Sequence, residues 1–154
     1  MRTPSKYKSA KTGQFMPRHP EKYKGKHPIV FKSLLEAKFM IFLDNNPKCT
    51  KWAYESIVVP YFDKSTNRQR QYYVDFVVEM NESPITKTIY WIETKNAKET
   101  VKPTGQRNSQ ALLESTKTYV CNLCKWEAAT KIAKRYGAKF VVVTDEFFKG
   151  KMKF

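Results

Sequence analysis

The stretch YYVDFVVEM (72–80), the break NESPITK (81–87) and the run TIYWIETK (88–95) decide how this chain folds. Val, Ile, Tyr, Phe and Trp dominate both runs, and turn-forming residues separate them, so they read as two strands of a hairpin. Side chains two apart on a strand share a face. Glu93 and Lys95 therefore point the same way, and pairing of the two runs brings Asp75 beside them. Two carboxylates and an ammonium converging at a sheet can hold a hard divalent metal and a polarised water. The same residues also fit a plain surface Asp and a surface Glu/Lys pair, because a D…E-x-K spacing alone is common.

Outward from this hairpin, the 154-residue length suits one domain with a single core. No apolar run approaches a membrane span, so no membrane role is expected. The net charge of +15 calls for a polyanionic partner, with nucleic acid ahead of an anionic membrane surface. Cys49, Cys121 and Cys124 are too few and too irregular for a disulfide framework or a complete zinc site. The two histidines, His19 and His27, lie near the N-terminus, which argues against histidine-based hydrolysis. Any enzymatic work falls to carboxylates and lysines.

Residues 1–28 read as a basic, extended N-terminal arm. They hold eight Lys or Arg against Glu21 alone, and Pro4, Pro17, Pro20 and Pro28 interrupt any helix. Tyr7, Phe15 and Tyr23 interleave with the basic residues, a composition that suits phosphate contact and base stacking, or a solvated tail. Residues 29–154 read as the folded domain. Apolar residues recur at helical spacing over 31–45, and Ser33 with Glu36 makes a capping box available. Glu36 is then a helix cap or a third carboxylate aimed at the hairpin. TKWAYESIVVPYF (50–62) reads as a strand, DKSTNRQR (63–70) as a polar turn, and 108–121 and 124–136 as two helices with Gly137 as C-cap. KFVVVT (139–144) reads as a strand buried on both faces. Lys98, Lys102 and Arg107, in the loop leaving the second strand of the hairpin, are candidate phosphate contacts or solvated charges.

The ordered set FKSLLEAKF, YESIVVPYF, YYVDF and WIETKN resembles the head-completion nucleases of T-even-like tailed phages. These are related to the TnsA transposition endonuclease, within the PD-(D/E)-x-K nuclease superfamily. The resemblance continues through YVCNLCKWEAATKIAKRYGAKFVVVTDE, whereas a second one, to phage endonuclease I, fades after Lys95. It implies an α/β restriction-endonuclease-like fold with a mixed central sheet flanked by helices. It also implies a metal-dependent DNA endonuclease acting on DNA ends in head completion. The catalytic set falls on Glu36, Asp75, Glu93 and Lys95, with Glu36, Asp75, Glu93 and the Thr94 carbonyl as ligands for Mg²⁺, or alternatively Mn²⁺. Lys32 stands where the family is expected to carry an arginine, which keeps the charge for DNA binding but loses the bidentate fork. Glu55 lies in the matching YES segment without an assigned role. The implied partners are DNA and the portal or head proteins, in the host cytoplasm during assembly or in the virion. Two alternatives stay open: a junction resolvase working as a homodimer, and a non-catalytic DNA-binding plug.

Overall fold

The computed structural model describes residues 12–106 and 108–150. A four-stranded sheet runs in the order β3 (Cys49–Asp63), β4 (Arg68–Ser83), β5 (Thr86–Lys95), β6 (Ala138–Thr144). The first three strands are antiparallel, and β6 joins β5 in parallel. A parallel neighbour needs a long crossover. The crossover here is α2 (Gln110–Arg135), which follows a short turn at Ala97–Thr100 and ends before Gly137 in the left-handed region. β1 (Gly13–Phe15) and β2 (Ile29–Phe31) form a small antiparallel pair, and α1 (Leu34–Asn45) follows Ser33, whose hydroxyl accepts the Glu36 N–H.

Two apolar clusters fix the helices to the sheet. Phe39, Met40 and Leu43 of α1 pack on Trp52, Phe76, Val78 and Ile92. Ala129 and Ala133 of α2 pack on Val59, Tyr72, Val74 and Trp91. The small α2 residues let the helix approach closely enough to bury Trp91 and Tyr72.

Three expectations change. The stretch 108–136 is one helix, because Asn122 and Leu123, between the two cysteines, contain no breaker, and Asn122 is buried. β6 is an edge strand whose Phe140, Val141 and Val142 are only half-buried, while Tyr90–Thr94 of β5 take the buried interior place. The segment read as an arm is folded where it is described. Tyr23 is buried with its ring 4.7 Å from that of Trp52, and Lys24 N–H donates to the Trp52 carbonyl. The Arg18 and His19 N–H groups donate to the Asp44 carboxylate, and Lys22 Nζ donates to the Asp44 and Asn46 carbonyls, closing the C-terminal end of α1. Residues 1–11 lie outside the described residues.

β3 and β4 join through a turn organised by Asp63. Its buried carboxylate accepts from the Ser65 N–H and hydroxyl and from the Thr66 hydroxyl, with Arg70 Nε at 3.6 Å. These donors hold its pKa down at about 2. The depressed value means that the stabilisation is complete above the ordinary carboxylate range and is lost as pH falls toward 2. Asp63→Ala should lower stability by about 1–3 kcal/mol at pH 7. In urea unfolding, the gap to the parent chain should narrow steadily between about pH 4 and pH 2. A gap unchanged across that range would show that the carboxylate charge is not what holds the turn.

Candidate active site

The β4–β5 ladder ends at the pair Phe76–Ile92, and one further step sets Asp75 opposite Glu93. There the ladder gives way to side-chain bonding. Asp75 Oδ2 accepts the Thr94 N–H at 2.8 Å and the Thr94 hydroxyl at 3.0 Å. On the other side of Asp75, β3 carries one extra residue, since Tyr54 pairs with Phe76 but Ile57 pairs with Val74. Within this bulge Glu55 adopts φ 49°, a left-handed conformation unusual for a side-chain-bearing residue.

Glu93 is buried, accepts a short hydrogen bond from the Tyr72 hydroxyl, and has Lys95 Nζ 3.6 Å from its other oxygen. Lys125 of α2 lies over the Tyr72 ring, 5.6 Å from its centroid. Glu36, in the first turn of α1, accepts the Lys32 N–H at 2.8 Å and the Tyr54 hydroxyl at 2.7 Å. The capping box is thus half formed. Ser33 caps Glu36, but the Glu36 carboxylate reaches the N–H of Lys32 instead of that of Ser33. Glu36, Thr94, Lys95 and Glu99 line one cleft of about 340 Å³ between the start of α1 and the end of β5.

The electrostatics agree with that proximity. Asp75 is pushed well above the usual carboxylate range, first by burial, then by the charge of Glu93 and, more weakly, of Glu36, against the Thr94 N–H. Burial also raises Glu93, against the Tyr72 hydrogen bond and the positive charges of Lys95 and Lys125. Tyr72 and Tyr54 are raised by burial and by the carboxylates they bond, so both hydroxyls stay protonated donors.

Asp75, Glu93, Lys95, Thr94 and Glu36 therefore meet at one end of the sheet. The DNA-contact candidates do not all join them. Lys32 Nζ is engaged by Glu55 at 2.7 Å, Lys98 and Lys102 are exposed beyond β5, and Arg107 lies outside the described residues. The sequence reading gives Tyr54, Tyr72 and Lys125 no role. The two tyrosines sit in the YES and YYVDF segments, but which hydroxyl reaches which carboxylate depends on the bulge and the strand ends.

The donor set fits a hard divalent cation. Its members are oxygen ligands, and both strand carboxyls stay raised despite the positive charges of Lys95 and Lys125. Among the described residues no three His, Cys, Asp or Glu side chains come together closely enough to hold a metal ion, so Glu36, Asp75 and Glu93 do not form a three-carboxylate cluster in this arrangement.

A mixed four-stranded sheet packed against two helices is a restriction-endonuclease-like architecture. The chain belongs to the TnsA-like endonuclease family, since the model of the TnsA-like endonuclease N-terminal domain matches residues 46–145. It is also 32% identical over 143 residues to the head completion nuclease of Enterobacteria phage T4, covering 89% of this chain and 93% of that protein.

The raised Asp75 carboxyl has a consequence for stability. The burial and repulsion are absent while Asp75 is protonated, and they grow as pH rises through its folded-state pKa. Asp75→Asn keeps an acceptor for the Thr94 N–H and removes the charge. In EDTA its melting temperature should exceed that of the parent chain, and the difference should widen as pH rises above the ordinary Asp range near about 4. A variant that melts lower at every pH would refute the crowded-charge account.

Proposed function

We propose that this protein is a metal-dependent DNA endonuclease that hydrolyses phosphodiesters at DNA ends during phage head completion. The observation that carries the reading is the meeting of Asp75, Glu93 and Lys95 at the divergence of β4 and β5, beside Glu36 in an open cleft. Family membership and the nuclease name of the phage T4 relative support it.

Asp75, Glu93, Glu36 and the Thr94 carbonyl would hold Mg²⁺ or Mn²⁺. When bound, the ion supplies Lewis acidity at the phosphate and makes a bound water more acidic. Thr94 fixes the Asp75 carboxylate by giving two donors to one of its oxygens. Tyr72 fixes one Glu93 oxygen and Tyr54 one Glu36 oxygen, which limits the reorganisation needed on binding. Lys95, a quarter exposed, presents its ammonium to the cleft, where it orients the attacking water and stabilises charge growing on the phosphate. The +15 net charge concentrates DNA around a locally acidic site. Portal or head proteins would supply the physiological context.

The deciding assay incubates the protein with linear, supercoiled and four-way DNA in Mg²⁺ and in EDTA. Cleavage of linear ends in Mg²⁺ alone is expected. Preferential cutting of the four-way form would make the protein a resolvase, and binding without cutting would make it a plug. Lys95→Ala should leave folding intact and slow hydrolysis by about a hundredfold or more, as when one preorganised donor is removed. Lys95→Arg should not restore the rate, because a planar guanidinium replaces a compact ammonium. Asp75→Ala should also be inactive, with partial recovery at high Mg²⁺ that Lys95→Ala does not show. Equal cutting by Lys95→Ala and the parent chain would remove Lys95 from the chemistry.

A further inference from the structure

β5 pairs with β4 only from Phe76 onward, so β4 from Arg68 to Asp75 continues as a two-stranded ribbon with β3. Over seven residue steps at about 3.3 Å each, this ribbon reaches about 23 Å beyond Asp75. Its two faces differ. Val59, Tyr61, Tyr72 and Val74 are buried in the cluster beneath α2, and the Tyr61 hydroxyl lies 3.5 Å from Cys121 Sγ, so the ribbon is backed along its length. The opposite face carries the cross-strand pairs Val58–Tyr73, Pro60–Gln71 and Phe62–Gln69, all exposed. Between Ile57 and Val74, Asp63 is the only acidic residue, and it is turned inward to hold the turn, whereas Lys64, Arg68 and Arg70 are exposed.

We infer that this ribbon is a duplex-DNA docking element that lies in the major groove and leads the backbone into the Asp75 site, an inference that rests on the nuclease reading. A two-stranded β-ribbon is one of the two elements the major groove admits, and glutamine amides match the donor and acceptor pair on an adenine edge. Gln69 and Gln71 lie two apart and so share the exposed face, while Lys64 and Arg68, exposed at the tip of the ribbon, suit phosphates. The exposed charge is all of the sign that DNA attracts, and β4 runs without interruption from Arg68 to Asp75. With one base pair per about 3.4 Å, the ribbon spans about seven base pairs to one side of the cut.

The test compares the full-length chain with Lys64→Ala/Arg68→Ala and, independently, with Gln69→Ala/Gln71→Ala, each checked for an unchanged melting temperature. Binding to a duplex of about 30 base pairs is read in EDTA across a salt series, and single-turnover cleavage at saturating protein is read in Mg²⁺. The basic double variant should bind at least about tenfold more weakly, and its slope of log affinity against log salt should fall by about 1.8, or about 0.9 for each phosphate no longer neutralised. Its saturated cleavage rate should equal that of the parent chain. The glutamine variant should weaken binding without changing the slope. Shortening the duplex on one side of the cut to fewer than about seven base pairs should erase the difference between the parent chain and either variant. Unaltered affinity and slope in both variants would overturn the docking role and leave the exposed face to a protein partner. Failure of the parent chain to cut any DNA in Mg²⁺ would instead overturn the nuclease reading, while the binding comparison still decides the ribbon.

Discussion

The hydrogen bonds from Thr94 to the Asp75 carboxylate take over where the β4–β5 ladder stops. A strand that leaves its neighbour exposes unpaired backbone donors, and a buried donor without a partner is costly. Asp75 satisfies the Thr94 N–H with a side chain, so the two strands can separate without leaving that donor orphaned. The same residue lies opposite the β3 bulge. Sheet departure on one side and an extra residue on the other meet at one carboxylate. This is why the acidic cleft, the ribbon and the two apolar clusters all begin within a few residues of Asp75.

The bulge redirects the chain as well as interrupting it. Before it, β3 contributes Trp52 and Tyr54 to the cluster under α1. After it, Ile57, Val59 and Tyr61 join the cluster under α2. Placing Glu55 at φ 49° costs on the order of 1 kcal/mol or more. The site gains two things from that local strain. Tyr54 is aimed at Glu36, and Glu55 is brought to the Lys32 ammonium at the rim of the cleft. Because a 2.7 Å ion pair there is partly exposed, it contributes little stability by itself. Its effect is to keep Lys32 in one place beside the helix entry.

The strands and α1 are legible in the sequence because their signals are local. β-branched and aromatic runs bounded by Asn, Ser and Pro give β4 and β5, and Ser33 with periodic apolar residues gives α1. The meeting of Asp75 with Glu93 and Lys95 follows from strand periodicity and hairpin pairing, neither of which needs tertiary information. Two readings fail for opposite reasons. The division of 108–136 into two helices leaves out Asn122 and Leu123, although neither breaks a helix. The segment 12–28 has no apolar period, yet Tyr23 and Phe15 attach it one ring at a time to Trp52. Such anchoring leaves no repeat for a sequence pattern to show. The tyrosines that bond Glu36 and Glu93 are hidden in the same way, since each hydrogen bond spans 18 or 21 residues and depends on where a ladder ends.

Charge distribution gives the last constraint. The chain carries +15, but the carboxylates of Asp75, Glu93 and Glu36 lie near one another, and among the described residues Lys95 alone makes an ion pair with them. A sheet assembled from these residues for stability alone would place Asn or Thr at Asp75, which would keep the Thr94 bond without burying a charge. Burial instead raises both strand carboxyls, with repulsion from Glu93 and Glu36 adding to it at Asp75, and uptake of a proton or another cation relieves them. Beyond Lys95, the exposed lysines such as Lys98 and Lys102 make no ion pair with these carboxyls among the described residues. A divalent ion and a phosphate together would satisfy both fields. The ion would answer the acidic cleft and the phosphate backbone the basic surface, which sets the two charges against one another at the mouth between α1 and β5.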